Sequence, residues 1–364
     1  MYRLLNRICN LPGPSSWHRH ISETSNKSIQ YLIDGVLSRD RGKLAEAITL
    51  IESSHPKKKI LAQQLLKEVL KIFRQNFFQP HSYRIGISGS PGAGKSTFIE
   101  ALGTMLTDRE HRVAVLAVDP SSVTTGGSLL GDKTRMTKLT RHPNAYIRPS
   151  PSRGALGGVT RCTNDAIVLC EAAGYDTVLV ETVGVGQSEL AVSEMVDMFV
   201  LLVSPASGDE LQGIKRGIME VADLIVITKD DGDLKAAARK MKAEYISASK
   251  FLRSKKSTLW QPKILTASST KREGIAEAWN EIEEFFRIMT ESGELKMRRE
   301  EQHALWMWNY IKYEVLESFK KHSAVRGNVA YYEEQVIKGN ITPGMAADEL
   351  LALFVHSRQH SMKL

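Results

Sequence analysis

The sequence predicts an α/β protein built on a doubly wound, mainly parallel sheet, with helical segments before and after it. Three observations predict this class. Short β-branched runs alternate with helical patterns from about residue 83 to 289, as expected for consecutive βα units. Several of these runs are continuously apolar, as strands covered on both faces must be. A glycine-rich loop pattern directly follows the first run.

Seven short runs are the candidate strands of this sheet. They are Arg84–Ser88, Val113–Val118, Tyr146–Arg148, Thr177–Glu181, Met198–Val203, Leu224–Thr228 and Lys263–Ala267. The helical patterns between them supply the connections that parallel strands require.

Helical periodicity also occupies both flanks. Apolar residues recur at helical spacing over Ser28–Phe78, where Pro56 and the lysines after it separate at least two helices. Leu295–Phe319 predicts one long helix, and Ala346–Val355 predicts a last amphipathic one. We therefore expect a leader at 1–27, an N-terminal helical extension at 28–80, a nucleotide-binding domain at 81–291 and a C-terminal helical arm at 292–364.

The composition excludes several classes of protein. Charged residues make up 25% and hydrophobic residues 42% of the 364 positions, which excludes a disordered chain, collagen and a coiled-coil fibre. The net charge of +8 arises from bases interspersed with acids, so we expect no nucleic-acid partner. Cys9, Cys162 and Cys170 are too scattered for a disulfide framework or a cysteine-based zinc site. No apolar run reaches eighteen residues, so we expect no membrane-spanning helix and no membrane partner.

The first 22 residues differ from the rest of the chain. They contain no acidic residue, whereas Arg3, Arg7 and Arg19 occur among several serines. This composition is typical of a mitochondrial transit peptide, and a basic tail without structure is the alternative. We therefore expect localisation in the mitochondrial matrix.

A phosphate-binding pattern, G-x-x-x-x-G-K-[ST], lies between the first strand and a helical run over Thr97–Leu106. The glycines let backbone N–H groups turn towards phosphates, and the helix N-terminus adds a positive dipole end. Lys95 would reach the β- and γ-phosphate oxygens, and the Ser96 hydroxyl would bind Mg²⁺. The nucleotide-binding residues expected here are Gly89, Ser90, Pro91, Gly92, Ala93, Gly94, Lys95, Ser96 and Thr97.

An acidic residue, Glu181, ends another apolar strand and is followed three residues later by Gly184. This pattern resembles nucleotide switches, in which an acid near Mg²⁺ precedes a glycine that senses the γ-phosphate. Val185 stands where Ras-like switches have the glutamine that orients the attacking water, and valine cannot replace it. Gln187 is the candidate substitute. We expect slow intrinsic hydrolysis that depends on a partner or a conformational change.

The segment from Thr228 to Asp231 resembles the guanine-binding motif N-K-x-D, with threonine in place of asparagine. A carboxylate at Asp231 would accept from the guanine N1–H and 2-amino groups, which adenine lacks at these positions, and Lys229 would pack along the base. The threonine leaves open the usual bond to the P-loop, and Asp230 leaves open which carboxylate meets the base. We expect the segment Leu265–Ser268, at the end of the last strand, to offer a backbone N–H to the guanine O6, and Ser268 to belong to the nucleotide site. A solvated acidic turn is the alternative.

Four further motifs occur in order, at Val118–Ser122, Gly127–Met136, Glu181–Glu189 and Gly208–Lys215. Together with the helical flanks they resemble the MeaB/ArgK family of P-loop GTPases, over roughly residues 28–345. The basic leader favours a mitochondrial member of that family. The resemblance implies a G domain with an N-terminal helical extension and a C-terminal arm that forms a homodimer.

The resemblance also implies a function, that of a GTPase chaperone of the adenosylcobalamin-dependent methylmalonyl-CoA mutase. Such a protein gates cofactor loading and protects or reactivates the mutase. It binds GTP or GDP with Mg²⁺ and does not bind cobalamin directly. By motif, the catalytic set is Lys95, Asp119, Asp132 and Glu181, and the Mg²⁺ set is Ser96 with the same three acids. The resemblance places signalling to the mutase at Gly208, Asp209, Glu210, Gln212 and Lys215. From the residues alone, Asp119 could instead begin a turn and Asp132 could cap a helix.

Three alternative functions stay open. A P-loop small-molecule kinase or transport-associated ATPase would not need a guanine motif. A nickel-insertion GTPase would need clustered Cys or His ligands, whereas Cys162 and Cys170 are separated in sequence and no histidine lies close to them. A structural protein with a degenerate P-loop would not need the intact pair Lys95 and Ser96.

Overall fold

The computed structural model describes residues 23–53, 55–75, 82–119, 136–151, 156–182, 187–205, 216–249 and 259–360. The chain divides into two compact units between Arg299 and Glu300. Several predictions lie outside the described residues: the transit peptide at 1–22, Asp132, Gly184, Val185 and the signalling residues Gly208, Asp209, Glu210, Gln212 and Lys215. Only the backbone of Asp119 and Gln187 is described. The predicted domain limits stay predictions.

Within the described residues of the first unit, seven parallel strands form one sheet in the order β3-β2-β4-β1-β5-β6-β7. The strands are β1 Tyr83–Ser88, β2 Val113–Asp119, β3 Ala145–Pro151, β4 Thr177–Thr182, β5 Met198–Val203, β6 Leu224–Ile227 and β7 Lys263–Thr266. The predicted α/β class with a doubly wound parallel sheet is confirmed. Strands β2, β3 and β4 lie on one side of β1, and β5, β6 and β7 lie on the other. The loop after β1 therefore leaves the sheet at its topological switch point, where ligands of such sheets usually bind.

Helices occur on both faces of the sheet and at both ends of the chain. In the described part they are α1 Glu23–Leu37, α2 Arg41–Ile51, α3 Pro56–Gln75, α4 Lys95–Asp108, α5 Thr137–Arg141, α6 Leu156–Ala172, α7 Gln187–Ser193, α8 Arg216–Met219, α9 Lys235–Ser249, α10 Ile275–Glu291, α11 Glu294–Lys321, α12 Ser323–Ile337 and α13 Pro343–His360. None of these described helices is long and apolar enough to cross a membrane.

Strand β1 shows why both faces of the sheet are covered. Ile85 and Ile87 belong to one buried cluster with Phe98 of α4 and Trp279 of α10. Gly86 faces the other side, where a Cβ atom would come within 2.9 Å of the Val192 side chain of α7. Because side chains alternate along a strand, Ile85 and Ile87 pack on the helices of one face, and Gly86 allows α7 to approach the other face closely.

The described part of the N-terminal segment contains three helices, where the sequence predicted at least two. The additional break lies at Arg39, which has a left-handed φ of 69°. Asp40 then begins α2 as its N-cap, because its carboxylate accepts from the N–H groups of Gly42 and Lys43 at 2.7 and 3.0 Å. Pro56, predicted as a separator, starts α3, where its fixed φ suits the first helical position. These helices pack against one another and on α6.

Buried ion pairs stabilise the side of the sheet at which its strands begin. Arg84 of β1 makes two hydrogen bonds to the Glu171 carboxylate of α6, at 2.6 and 2.8 Å. Arg299 of α11 makes two to Asp197, which directly precedes β5 and is fully buried, at 2.8 and 2.6 Å. Loss of one partner from such a pair typically costs about 3–5 kcal/mol, because a buried charge is left alone. The network therefore fixes this edge, opposite the edge from which the P-loop leaves.

Candidate nucleotide-binding site

The loop between β1 and α4 follows a path that only glycine tolerates at two positions. Gly89 has a φ of +153°, and a Cβ atom there would lie 2.2 Å from the backbone oxygen of Leu202 in β5. Gly94 is the N-cap of α4 with φ 89° and ψ 24°, the left-handed region. The Ala93 N–H closes the loop on the Ser90 carbonyl at 3.1 Å. Two glycines of the predicted P-loop are thus required by backbone geometry.

Lys95, in the first turn of α4, directs its ammonium group back into this loop. The Nζ atom donates to the carbonyls of Gly89 at 2.7 Å and Ser90 at 3.1 Å, and only 8% of the residue is exposed. The side chain is therefore held between the loop and the N-terminus of α4. A phosphate at this place would meet both the ammonium charge and the positive end of the helix dipole.

Ser96 and Glu181 come together beside Lys95, although 85 residues separate them in sequence. Glu181 lies near the carboxyl end of β4, in register with Ile87 of the neighbouring β1. The Ser96 hydroxyl donates to Glu181 Oε1 at 2.9 Å, and both residues are buried. A hydroxyl and a carboxylate are the oxygen ligands that suit Mg²⁺, which usually takes few protein ligands together with substrate phosphates. The pair fits the predicted ion.

The other predicted metal residues can be placed only in part. Asp119 is the last residue of β2. The residue before it, Val118, pairs with Thr182 of β4, and Thr182 directly follows Glu181. The backbone of Asp119 therefore reaches the same edge of the sheet as Glu181. Asp132 lies outside the described residues. Within the described ranges, no three His, Cys, Asp or Glu side chains form a metal-binding group.

A buried chain of hydroxyls lies next to this edge and was not predicted. Thr182 donates to the Ser88 hydroxyl at 3.0 Å, and Ser88 donates to the Glu189 carboxylate at 3.4 Å. Ser88 immediately precedes the P-loop, and Thr182 and Glu189 stand on either side of residues 183–186. These hydrogen bonds link β1, β4 and α7. A run of polar residues at strand ends was the only sequence signal for it.

Thr228, which directly follows β6, ties the predicted base-binding segment to the P-loop. Its hydroxyl lies 2.7 Å from the Ala93 carbonyl and 3.1 Å from that of Val203, and the residue is buried. The sequence left open whether threonine, in the place of the motif's asparagine, bonds the P-loop. The structure shows that Thr228 makes this bond. The threonine side chain is shorter than that of asparagine, but the end of β6 lies close enough to the P-loop for the hydroxyl to reach the Ala93 carbonyl.

Asp231 is held by two hydroxyls from the segment after β7. Its Oδ2 accepts from Ser268 and from Thr270, the latter at 2.7 Å. These two hydrogen bonds lower the pKa of the Asp231 carboxyl below its ordinary value, because they stabilise the ionised form. Asp230 instead has its N–H on the Ala267 carbonyl at 3.2 Å. That Asp231 is the carboxylate that meets the base stays a prediction.

Within the segment Leu265–Ser268, the backbone of Ser268 is engaged in a turn. Its N–H donates to the Glu273 carbonyl at 2.9 Å, and the Glu273 N–H returns a bond to the Ser268 carbonyl at 3.1 Å. This reciprocal pair closes a tight turn, so the Ser268 N–H is already used within it. Ser268 contributes its hydroxyl to Asp231. Thr270 was missed in the sequence, where the hydroxyl run at 268–270 was the available signal.

Similarity to known proteins agrees with this geometry. The family model described as "Methylmalonyl Co-A mutase-associated GTPase MeaB" matches residues 44–324, well over half of the chain. The chain belongs to the MeaB family. The resemblance predicted from the motifs is therefore confirmed, and the chain is a member of a GTPase family.

Relatives of this MeaB-family chain share most of its length. The mouse "Methylmalonic aciduria type A homolog, mitochondrial" is 56% identical over 338 residues, covering 92% of this chain and 81% of the mouse protein. The "GTPase ArgK" of Escherichia coli K12 is 48% identical over 293 residues, covering 80% and 85%. A crystal structure of a "LAO/AO transport system kinase" is 37% identical with a TM-score of 0.71, covering 92% of this chain and 99% of the other.

Proposed function

We propose that this protein binds Mg²⁺ and GTP, hydrolyses GTP to GDP and phosphate, and acts as a chaperone of methylmalonyl-CoA mutase. In this role it gates adenosylcobalamin loading and protects or reactivates the mutase, without binding cobalamin itself. The observation that carries the hydrolytic part is the convergence of Lys95, Ser96 and Glu181 at the P-loop. The mutase part is supported by membership of a mutase-associated family.

The residues of the site divide the chemical task. The Lys95 ammonium and the N-terminus of α4 stabilise the negative charge that spreads over the phosphate oxygens during transfer to water. Ser96 and Glu181 hold Mg²⁺, and we propose Asp119 and Asp132 as the further acids around it. When bound, Mg²⁺ neutralises charge on the β- and γ-phosphates. Because Val185 cannot orient the attacking water, intrinsic turnover is slow and a partner raises it.

The base site separates this proposal from the kinase and ATPase alternatives. Asp231 presents a carboxylate, which accepts hydrogen bonds from guanine but finds no such donors on the corresponding edge of adenine. A GTPase releases inorganic phosphate from GTP, whereas a kinase would transfer the phosphoryl group to an acceptor. Phosphate release from GTP and ATP, measured with and without purified mutase, tests the proposal. Faster release from ATP, or no effect of the mutase, would contradict it.

We expect the Lys215→Ala variant to keep basal GTP hydrolysis and lose most of its stimulation by the mutase. The reason is that Lys215 belongs to the segment proposed to signal nucleotide state and has no proposed role on phosphate. Lys240→Ala, which removes an exposed lysine of α9, is the matched control. GTP turnover is measured at increasing mutase concentration. Normal stimulation of Lys215→Ala would place the signalling surface elsewhere.

We also propose that the leader directs the protein to the mitochondrial matrix, in keeping with the mitochondrial names of the mouse and Caenorhabditis elegans relatives. Residues up to about Ser22 are expected to carry a fused passenger protein into mitochondria and to be absent from the mature chain. N-terminal sequencing of protein purified from its source checks this. An intact Met1 on that protein would contradict the prediction.

We propose a homodimer formed through the C-terminal helices. Helix α11 exposes large apolar side chains at helical spacing, including Trp308 at 49% and Val315 at 52% exposure, and such a surface is typical of a protein contact. A charge placed there should oppose association, so Trp308→Glu is expected to be a monomer with normal basal GTP turnover. Sedimentation velocity measures the change, with Lys240→Glu, a charge reversal on α9 outside this surface, as the control. A dimeric Trp308→Glu protein would contradict this interface.

A further inference from the structure

We infer that Thr270 is a positioning residue of the base site, which together with Ser268 holds Asp231 Oδ2 and so fixes the orientation of the carboxylate that accepts from guanine. The inference rests on the proposed GTP binding and adds a determinant of base specificity to it. Thr270 was not among the residues that the motifs indicated. Three features of the structure support the assignment.

The first feature is the distribution of hydrogen bonds on the Asp231 carboxylate. In the described part of the chain, the hydroxyls of Ser268 and Thr270 both donate to Oδ2, the latter at 2.7 Å. The two hydroxyl oxygens are also 3.1 Å apart. Two donors on one oxygen resist rotation of the carboxylate about its terminal bond, and they leave the acceptor capacity of Oδ1 unused.

The second feature is the alignment of the two strands that carry these residues. Ile227 of β6 pairs with Thr266 of the adjacent β7. Asp231 follows Ile227 by four residues, and Thr270 follows Thr266 by four. Neighbouring parallel strands therefore deliver the carboxylate and the hydroxyl to the same edge of the sheet, beside the P-loop that Thr228 contacts.

The third feature is that the turn carrying Thr270 is closed by the backbone. Ser268 and Glu273 exchange two backbone hydrogen bonds. Gly274 has a φ of +75°, and a Cβ atom there would lie 2.3 Å from the Thr266 carbonyl oxygen. Because the Thr270 side chain is exposed and does not take part in this closure, its substitution should leave the turn intact. Ser268 is buried, so Thr270 is the more informative position to change.

The test compares binding of GDP and IDP, because the inosine base keeps N1–H but lacks the 2-amino group of guanine. Thr270→Ala and Thr270→Val are expected to weaken GDP binding by about three- to tenfold, because the carboxylate keeps the Ser268 hydroxyl and loses only one of the two bonds that orient it. They should weaken IDP less, since a misoriented carboxylate loses the pair of donors on guanine. Thr270→Ser keeps the hydroxyl and should restore both affinities. Glu273→Ala, which retains the backbone bonds of the turn, is the control.

The outcomes separate this inference from the proposed function. Wild-type affinity of Thr270→Val for GDP would overturn the role of Thr270, as would equal losses for GDP and IDP, which indicate a general effect on the turn. Failure of Thr270→Ser to restore binding would also overturn it. A wild-type protein that binds ADP as well as GDP would remove the guanine site itself, and the inference with it.

Discussion

Replacement of Lys95 by alanine is expected to reduce GTP hydrolysis to background, a loss of at least about a hundredfold. Lys95 lies at the start of α4, with its ammonium on the carbonyls of Gly89 and Ser90. In the transition state, negative charge spreads over the oxygens of the transferred phosphoryl group, so a fixed cation there contributes most when charge is greatest. Phosphate release from GTP measures the effect.

The same experiment needs evidence that the variant folds. Alanine has a high helix propensity, so α4 should form as before, and far-UV circular dichroism with a thermal unfolding curve checks this. Lys240→Ala, with 81% of its side chain exposed in the wild type, controls for loss of a positive charge. Unchanged turnover in folded Lys95→Ala would exclude the P-loop from the mechanism.

Replacement of Asp231 by asparagine is expected to exchange the base preference of the protein. The carboxylate accepts two guanine donors, and each charge-assisted bond contributes about 1.5–3 kcal/mol. Since about 3 kcal/mol already exceeds two decades in affinity, wild-type protein should prefer GTP to ATP by more than about a hundredfold. The asparagine amide clashes with the guanine donors but complements the 2-oxo group of xanthine. The variant should therefore lose GTP and gain XTP.

Asp230→Asn is the matched control for this exchange, because the two residues are adjacent and carry the same charge. Competition binding with GTP, ATP and XTP is measured for both variants. The Asp231 carboxylate is held by hydroxyls from the segment after β7, whereas the Asp230 backbone bonds Ala267. We therefore expect Asp231→Asn, and not Asp230→Asn, to change the base preference. An effect confined to Asp230→Asn would shift the motif by one residue. No effect of either would remove the guanine assignment.

Local patterns in the sequence were enough to predict the strands and the phosphate loop. The run Met198–Val203 is continuously apolar and was found as β5 with the same limits, because burial on both faces leaves no polar positions. The P-loop was equally predictable, since its glycine pattern, the left-handed φ of Gly94 and the place of Lys95 all lie within one short segment. The family followed from several such segments in a fixed order.

Contacts between distant segments could not be predicted in this way. Nothing in the local sequence of Thr228 shows that its hydroxyl reaches Ala93, 135 residues away. Likewise, the buried pair of Arg84 and Glu171 joins residues that each read as ordinary polar positions. Nor does the local sequence show that the backbone N–H of Ser268, in the segment expected to meet the base, bonds the Glu273 carbonyl.

The sequence by itself therefore determined the fold class, the family and the loop proposed to meet phosphate, because glycine freedom, apolar burial and the lysine charge act within a few residues of one another. Only the tertiary structure decided how the base site is built. It brought β6 and β7 side by side, and so placed Ser268 and Thr270 on Asp231. Hydroxyl bonds of this kind depend on distances between strands that are set by packing of the whole sheet, and no local pattern encodes those distances.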